Sequence, residues 1–239
     1  MLAQKICRCI LIPLLISITF SGLIAQPVDT KFEHISLEHG LSQSIINTIM
    51  KDSKGFMWFG TQSGLNKYDG YEFVIYKNNP FDSTAISNNL INSTFEDGEG
   101  FIWIGTGGGG LNKFNRETEE FTHYRHNPQN PKSISSDFVF FSFEDKSKNI
   151  WVFTGEGGVD IFNKSTGEFE HLQHNLDDPI SLSHNNINWV YEDLLSEIWF
   201  GTQNGLNKFN REDKSFERLF YRQESDKKSG KTYISTIYE

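Results

Sequence analysis

Gly105-Thr106-Gly107-Gly108-Gly109-Gly110 has the spacing of a dinucleotide fingerprint, G-x-G-x-x-G, and follows an apolar run. That fingerprint works where the glycine turn opens a helix whose N-terminal amides hold a pyrophosphate. Here the next residues, Leu111 to Phe114, read as another extended segment, so the turn is a hairpin. Acidic pairs stand at Glu96-Asp97, Glu144-Asp145 and Glu192-Asp193, with Lys51-Asp52 at the matching place. Paired carboxylates are the equipment of a glycosidase. Each pair, however, precedes a turn, where Asp accepts hydrogen bonds from its own backbone, so turn chemistry is expected. The seven histidines show no metal-ligand spacing, and no serine sits in a nucleophile elbow. The reading is of no catalytic residue, no metal site and no cofactor.

The elements behind these residues begin after residue 25. Lys5 and Arg8, the apolar run Ile10 to Phe20 and the exit Ser21-Gly22-Leu23-Ile24-Ala25 have the three parts of a secretory signal peptide, 1–25. A membrane span needs about twenty apolar residues, more than this run supplies. Cys7 and Cys9, the two cysteines of the chain, lie inside the signal, so residues 26–239 carry no thiol for disulfides or metals. Export without cysteine points to a bacterial envelope, the periplasm. Loss of the signal takes the net charge two units below −9. An acidic chain without a basic stripe argues against nucleic acid or anionic lipid as partner.

Tryptophan then recurs at Trp58, Trp103, Trp151 and Trp199, 45, 48 and 48 residues apart. Its surroundings recur with it: FMWFGTQSGLNK from Phe56, FIWIGTGGGGLNK from Phe101, NIWVFTGEGGVDIFN from Asn149 and EIWFGTQNGLNK from Glu197. Each copy divides into four short extended segments. In the first these are Ile45 to Met50, Phe56 to Thr61, Leu65 to Tyr68 and Glu72 to Tyr76, separated by turns that include Asp69-Gly70. No stretch sustains a helical period. Four strands in a repeat of this length make a propeller blade. The fold expected is all-β: four four-stranded antiparallel blades at about 45–76, 90–124, 137–172 and 186–221. The second strand of each, apolar on both faces, lies between neighbouring blades, with its Trp as core.

The pattern (apolar)-Trp-(apolar)-Gly-Thr-x-x-Gly-Leu-Asn-Lys resembles the two-component regulator propeller repeat, as does the opening from Phe32-Glu33-His34-Ile35 to Gly40-Leu41-Ser42-Gln43. The third copy departs, with Phe153 for the Gly and Val159-Asp160-Ile161 for Leu-Asn-Lys, so a blade tolerates loss of those residues. The resemblance implies the extracytoplasmic sensor half of a hybrid kinase or regulator, with an envelope ligand, an oligosaccharide among those such proteins answer to. It also implies that any kinase activity, membrane anchor or homodimer contact belongs to regions beyond this chain. Two other readings stay open: an exported propeller enzyme, lyase or hydrolase, acting on a glycan or small molecule, and a protein-binding scaffold.

In a four-stranded blade the loop between strands two and three shares a face with the connection to the next blade. Those connections, Lys77 to Asn89, Arg125 to Asp137 and Gln173 to Asn186, read as long and different from one another. Variable loops on a rigid frame are where binding resides. The ligand-binding candidates are Gln62, Phe81, Asp82, Arg125, His126, Glu156, His174, His184 and Gln203. On this reading His126→Ala leaves stability nearly unchanged. Lys31 to Ile35 aligns with a fourth strand, and Tyr233 to Glu239 with the first strand of a further blade, 233–239. An incomplete part of a larger propeller, an open arc, is expected.

Overall fold

The computed structural model describes residues 32–155, 157–219 and 234. The signal segment 1–25, Glu156 and all but Ile234 of the 233–239 segment lie outside them. Sixteen strands form four separate antiparallel sheets, each in the order of the chain. Blade 1 holds β1 (Ile46–Lys51), β2 (Met57–Thr61), β3 (Gly64–Tyr68) and β4 (Phe73–Tyr76). Blade 2 holds β5 (Ile91–Glu96), β6 (Ile102–Thr106), β7 (Leu111–Asn115) and β8 (Glu120–Tyr124). Blade 3 holds β9 (Val139–Glu144), β10 (Ile150–Thr154), β11 (Gly158–Asn163) and β12 (Glu168–Leu172). Blade 4 holds β13 (Ile187–Glu192), β14 (Ile198–Thr202), β15 (Gly205–Asn210) and β16 (Ser215–Leu219). A single 3-10 turn, Leu37–His39, is the one helical element among the described residues. Residues 32–35, expected as an outer strand, form none. An extended segment becomes a strand only when a neighbour takes its hydrogen bonds.

Strand two is apolar on both faces because it is covered on both. β6 and β10 are buried along their whole length. Trp58, Trp103 and Trp151 each meet a Phe from strand three of the next blade, edge to face. The centroid distances are 5.6 Å for Trp58–Phe114, 5.2 Å for Trp103–Phe162 and 5.0 Å for Trp151–Phe209. T-shaped aromatic pairs of this kind add to the burial term and fix how sheets stack. The Leu-Asn-Lys run is equally structural. Leu65 and Asn66 are buried, Asn66 Oδ1 accepts the Ser42 amide at 2.9 Å, and Lys67 Nζ lies 4.3 Å over the Phe56 ring. In the third copy Asp160 takes the place of the Asn. It accepts the Ser135 amide at 2.8 Å and pairs with His171 Nδ1 at 2.7 Å.

The inner strands join neighbouring blades through two further repeated residues. Each inner strand carries a bulge at its second residue, Asn47, Asn92, Phe140 and Asn188. Asn47 Nδ2 donates to Ile91 O at 2.8 Å and Asn92 Nδ2 to Val139 O at 2.9 Å, so each stitches its blade to the next. Across the sheet stands a glycine. A Cβ on Gly60 would lie 2.6 Å from Ile91 Cγ2, and one on Gly105 2.7 Å from Val139 Cγ1. Glycine is required there because the next blade's first residue occupies the space of a side chain. Ile234 meets blade 4 in this same way. Asn188 Nδ2 donates to its carbonyl at 2.9 Å, and a Cβ on Gly201 would lie 2.7 Å from its Cγ2. Ile234 therefore stands where the first residue of a following blade stands.

Candidate functional site

The recurrent carboxylates form interlocks between blades. Trp58, Trp103, Trp151 and Trp199 donate their indole N–H to Asp52, Asp97, Asp145 and Asp193 Oδ2 at 2.8, 2.8, 2.9 and 3.0 Å. The other oxygen accepts amides of its own turn, as expected from sequence. The next blade adds a cation. Arg116 reaches Asp52 at 3.1 Å and Glu96 at 2.8 Å; Lys164 reaches Asp97 at 3.3 Å and Glu144 at 2.8 Å; Arg211 reaches Asp145 at 2.7 Å and Glu192 at 3.2 Å. Burial alone would raise the Asp97 carboxyl, but the Trp103 N–H, the Phe101 amide and Lys164 together hold it below the usual range. Asp145 is held low against its burial by Trp151, Arg211 and Asn149. A general acid needs the opposite shift.

The loop face is built as anticipated in one respect. Gly64 N donates to Asn89 O at 2.8 Å, Gly110 N to Asp137 O at 2.8 Å and Gln203 N to Asn186 O at 3.2 Å, so the β2–β3-type turns share an edge with the connections. The connections do not differ as their sequences suggested; they are one structure three times. Asn78, His126 and His174 begin them alike. Their amides donate to Asn89, Asp137 and Asn185 Oδ1 at 2.8, 2.7 and 2.6 Å. Their side chains bond Ile86, Ile134 and Leu182 O at 2.9, 2.9 and 2.7 Å. Those three apolar residues are fully buried plugs. Sequence reading missed this because Asn and His are dissimilar residues, yet each can donate from the same distance along the side chain.

Six of the nine candidates are thereby distributed over three connections rather than gathered in one site, and Gln62 and Gln203 lie in strand two–three turns. Gln62 is exposed in the β2–β3 turn, and Phe81 is 98% exposed. Asp82 caps its own turn, accepting the Thr84 hydroxyl at 2.7 Å. Arg125 lies 3.6 Å from the Asp137 carboxylate, beside the stapled His126. His174 and His184 stack with centroids 6.5 Å apart, and His184 Nδ1 accepts the Asn186 amide at 2.9 Å. Glu156 lies outside the described residues. Among the described residues no three His, Asp or Glu side chains are grouped to hold a metal.

Among the described candidates, Gln203 borders a cavity. About 510 Å³ opens between blades 3 and 4, walled by Phe140, Phe141, Phe153, Ile187, Trp189 and Val190, with Asn185, Asn186 and Asn188 at its edge. Here the junction differs from the others. Phe140 occupies the bulge where asparagine stitches the other blades, and Phe153 occupies the glycine position. Whereas β1 runs beside β5 and β5 beside β9, β13 does not come alongside β9 in that way. Deeper in the seam contact is kept, with Phe153 on Phe200 at 6.0 Å and Trp151 on Phe209 at 5.0 Å. Phe153 was visible in the sequence as a departure, but its consequence depends on what faces it.

Residues 40–63 and 85–108 match the family model described as two component regulator propeller. Over these two stretches the chain is similar to the two-component regulator propeller repeat. The chain is 46% identical over 74 residues to Histidine kinase P4 of Formosa agariphila, a match covering 31% of this chain and 5% of that protein. It is 28% identical to the extracellular domain of the hybrid two component system BT3049 of B. thetaiotaomicron, with a TM-score of 0.60 over 77% of this chain and 31% of that one. The chain thus spans under a third of the length of either. Virginiamycin B lyase of Staphylococcus aureus shares the fold, with a TM-score of 0.58 at 12% identity, covering 82% of this chain and 62% of the lyase. Among the described residues no helix is long and apolar enough to cross a membrane.

Proposed function

We propose that this propeller is the extracytoplasmic ligand-sensing part of a two-component signalling protein, exported by its N-terminal signal and without chemistry of its own. The observation that carries the reading is the 28% identity, over most of the chain, to an extracellular domain of a hybrid two component system. The interlocked carboxylates agree with it. Each recurrent Asp is committed to an indole, a turn and, at three of four positions, a cation, and Glu96, Glu144 and Glu192 are committed to a turn amide and a cation, which argues against a repeated acid–base pair among the described residues. The blades of this chain are a portion of a larger propeller, consistent with Ile234 lying in the seat of a further inner strand. An envelope oligosaccharide on the loop face is the expected ligand, and dimer contacts belong to the full-length protein. The test is fractionation of the native host followed by thermal-shift screening of the envelope protein against oligosaccharides. A shift without product formation supports sensing. Turnover of any glycan would show an enzyme instead, and a cytoplasmic location would overturn the reading.

A further inference from the structure

The third junction carries two departures from the repeat, and both act on the same gap. Phe140 cannot make the amide-to-carbonyl stitch that Asn47, Asn92 and Asn188 make. Phe153 fills the space into which the next blade's first residue fits at Gly60, Gly105 and Gly201. One change removes the fastening and the other supplies a wedge. Bulges are places where a strand re-aims a side chain, and here the side chain so aimed is aromatic.

The outcome is not a packed core. Phe140 stays 55% exposed, Phe141 46% and Trp189 47%, gathered at the mouth and walls of a gap of about 510 Å³. That volume falls in the range of small-molecule sites, about 300–1,000 Å³. A cluster of aromatic rings left half in water on a rigid frame marks a place meant to be covered. The lining has a second property: although the chain has 31 acidic and 22 basic residues, among the described residues no Asp, Glu, Lys or Arg borders the gap. An ionised ligand would lose its hydration against these described walls without a counter-charge from them. The polar groups at the edge are amides. Asn185 commits Oδ1 to the His174 amide and Asn188 commits Nδ2 to Ile234 O, and both residues line the gap.

We propose that the seam between blades 3 and 4 binds an uncharged, largely apolar small molecule, aromatic or alicyclic, held between Phe141, Phe153 and Trp189 with hydrogen bonds from the rim amides. This site lies where the seam reaches the loop face, with Asn185, Asn186 and Gln203 on its border, and it does not depend on the sensing reading. Its size suits one or two rings, and its wet edge suits a single hydroxyl or carbonyl on an otherwise apolar body.

The test uses Nile red, an uncharged dye whose emission shifts to the blue in apolar sites, titrated into the full chain. Saturable binding of one dye per chain is expected. The double variant F140N/F153G restores the pattern of the other junctions and should bind at least tenfold more weakly while melting no lower than the parent. Displacement discriminates the class: 2-naphthol should compete, and 2-naphthoate should be at least tenfold poorer. Equal affinity of parent and double variant, equal competition by the two naphthalenes, or a signal that appears only as the chain dimerises would overturn the proposal. Should the double variant fail to fold, Phe141→Gln keeps the wedge and removes one wall; dye affinity unchanged by that substitution would equally overturn it.

Discussion

Trp103 Nε1 donates to Asp97 Oδ2 at 2.8 Å, and the pair is sealed from water by Phe162 of the next blade and by Lys164. Both side chains are buried, so the bond unites a core residue, a turn and a blade junction. Trp103→Ala should cost about 3–5 kcal/mol, the usual range for truncating a buried aromatic. Trp199 is less buried and meets no such Phe among the described residues, so Trp199→Ala should cost less. Chemical denaturation of both variants checks the order; equal losses would place the blade junction wrongly.

The same interlock makes stability depend on acid. Asp97 and Asp145 are held low against their own burial, and Glu96 is held low by Ser53 and Arg116. A carboxylate with a depressed folded pKa stabilises above its unfolded pKa, and that contribution is lost as pH falls through the folded value. Melting temperature should therefore be flat at neutral pH and fall below the ordinary carboxylate values of 3.8 and 4.5. Asp97→Asn should melt lower at pH 7 and lose less on acidification. A parallel pair of profiles would show that Asp97 is not linked to folding.

His171 has the opposite sign. Its bond to Asp160 raises its pKa above the ordinary 6.5 despite partial burial. The pair stabilises fully below pH 6.5 and weakens as pH rises through the raised value. Asp160→Asn, which restores the residue of the other three blades, should remove this dependence. Titration of the His171 ring by NMR gives the direct measurement: a pKa at or below 6.5 in the parent would contradict the pairing.

Gly105 faces Val139 across the second junction at a distance that leaves no room for a side chain. Gly105→Ala should cost about 1–3 kcal/mol, as overpacking generally does. Unchanged stability would mean that blades 2 and 3 are free to separate.

His126 was read from sequence as a loop residue whose removal is harmless, and the staple to Ile134 O changes that expectation. His126→Ala should cost about 1 kcal/mol, the net worth of one hydrogen bond together with a carbonyl left unpaired. His126→Asn should recover most of it, because Asn78 makes the equivalent bond to Ile86 O at 2.9 Å. Equal destabilisation by Ala and Asn would refute the equivalence.

The sequence by itself determined the blades. Tryptophan at a fixed interval, strand two apolar on both faces and glycine- or aspartate-marked turns each follow from local rules of periodicity and turn chemistry, and four copies in register reinforce one another. The Asp before each turn was also legible as a turn acceptor, since that bond lies within a few residues. What only tertiary structure decided are the partners between blades, which sit about one repeat apart in the chain. Arg116 on Asp52, Asn47 on Ile91 and glycine beneath a neighbour's Ile or Val involve residues whose local roles look unrelated. The loops deceived for a related reason: Asn78, His126 and His174 differ as residues but place a donor at the same point. Phe153 shows the limit most plainly. Its own blade accommodates it without loss of register, and its effect appears only in the gap it opens against the blade that follows.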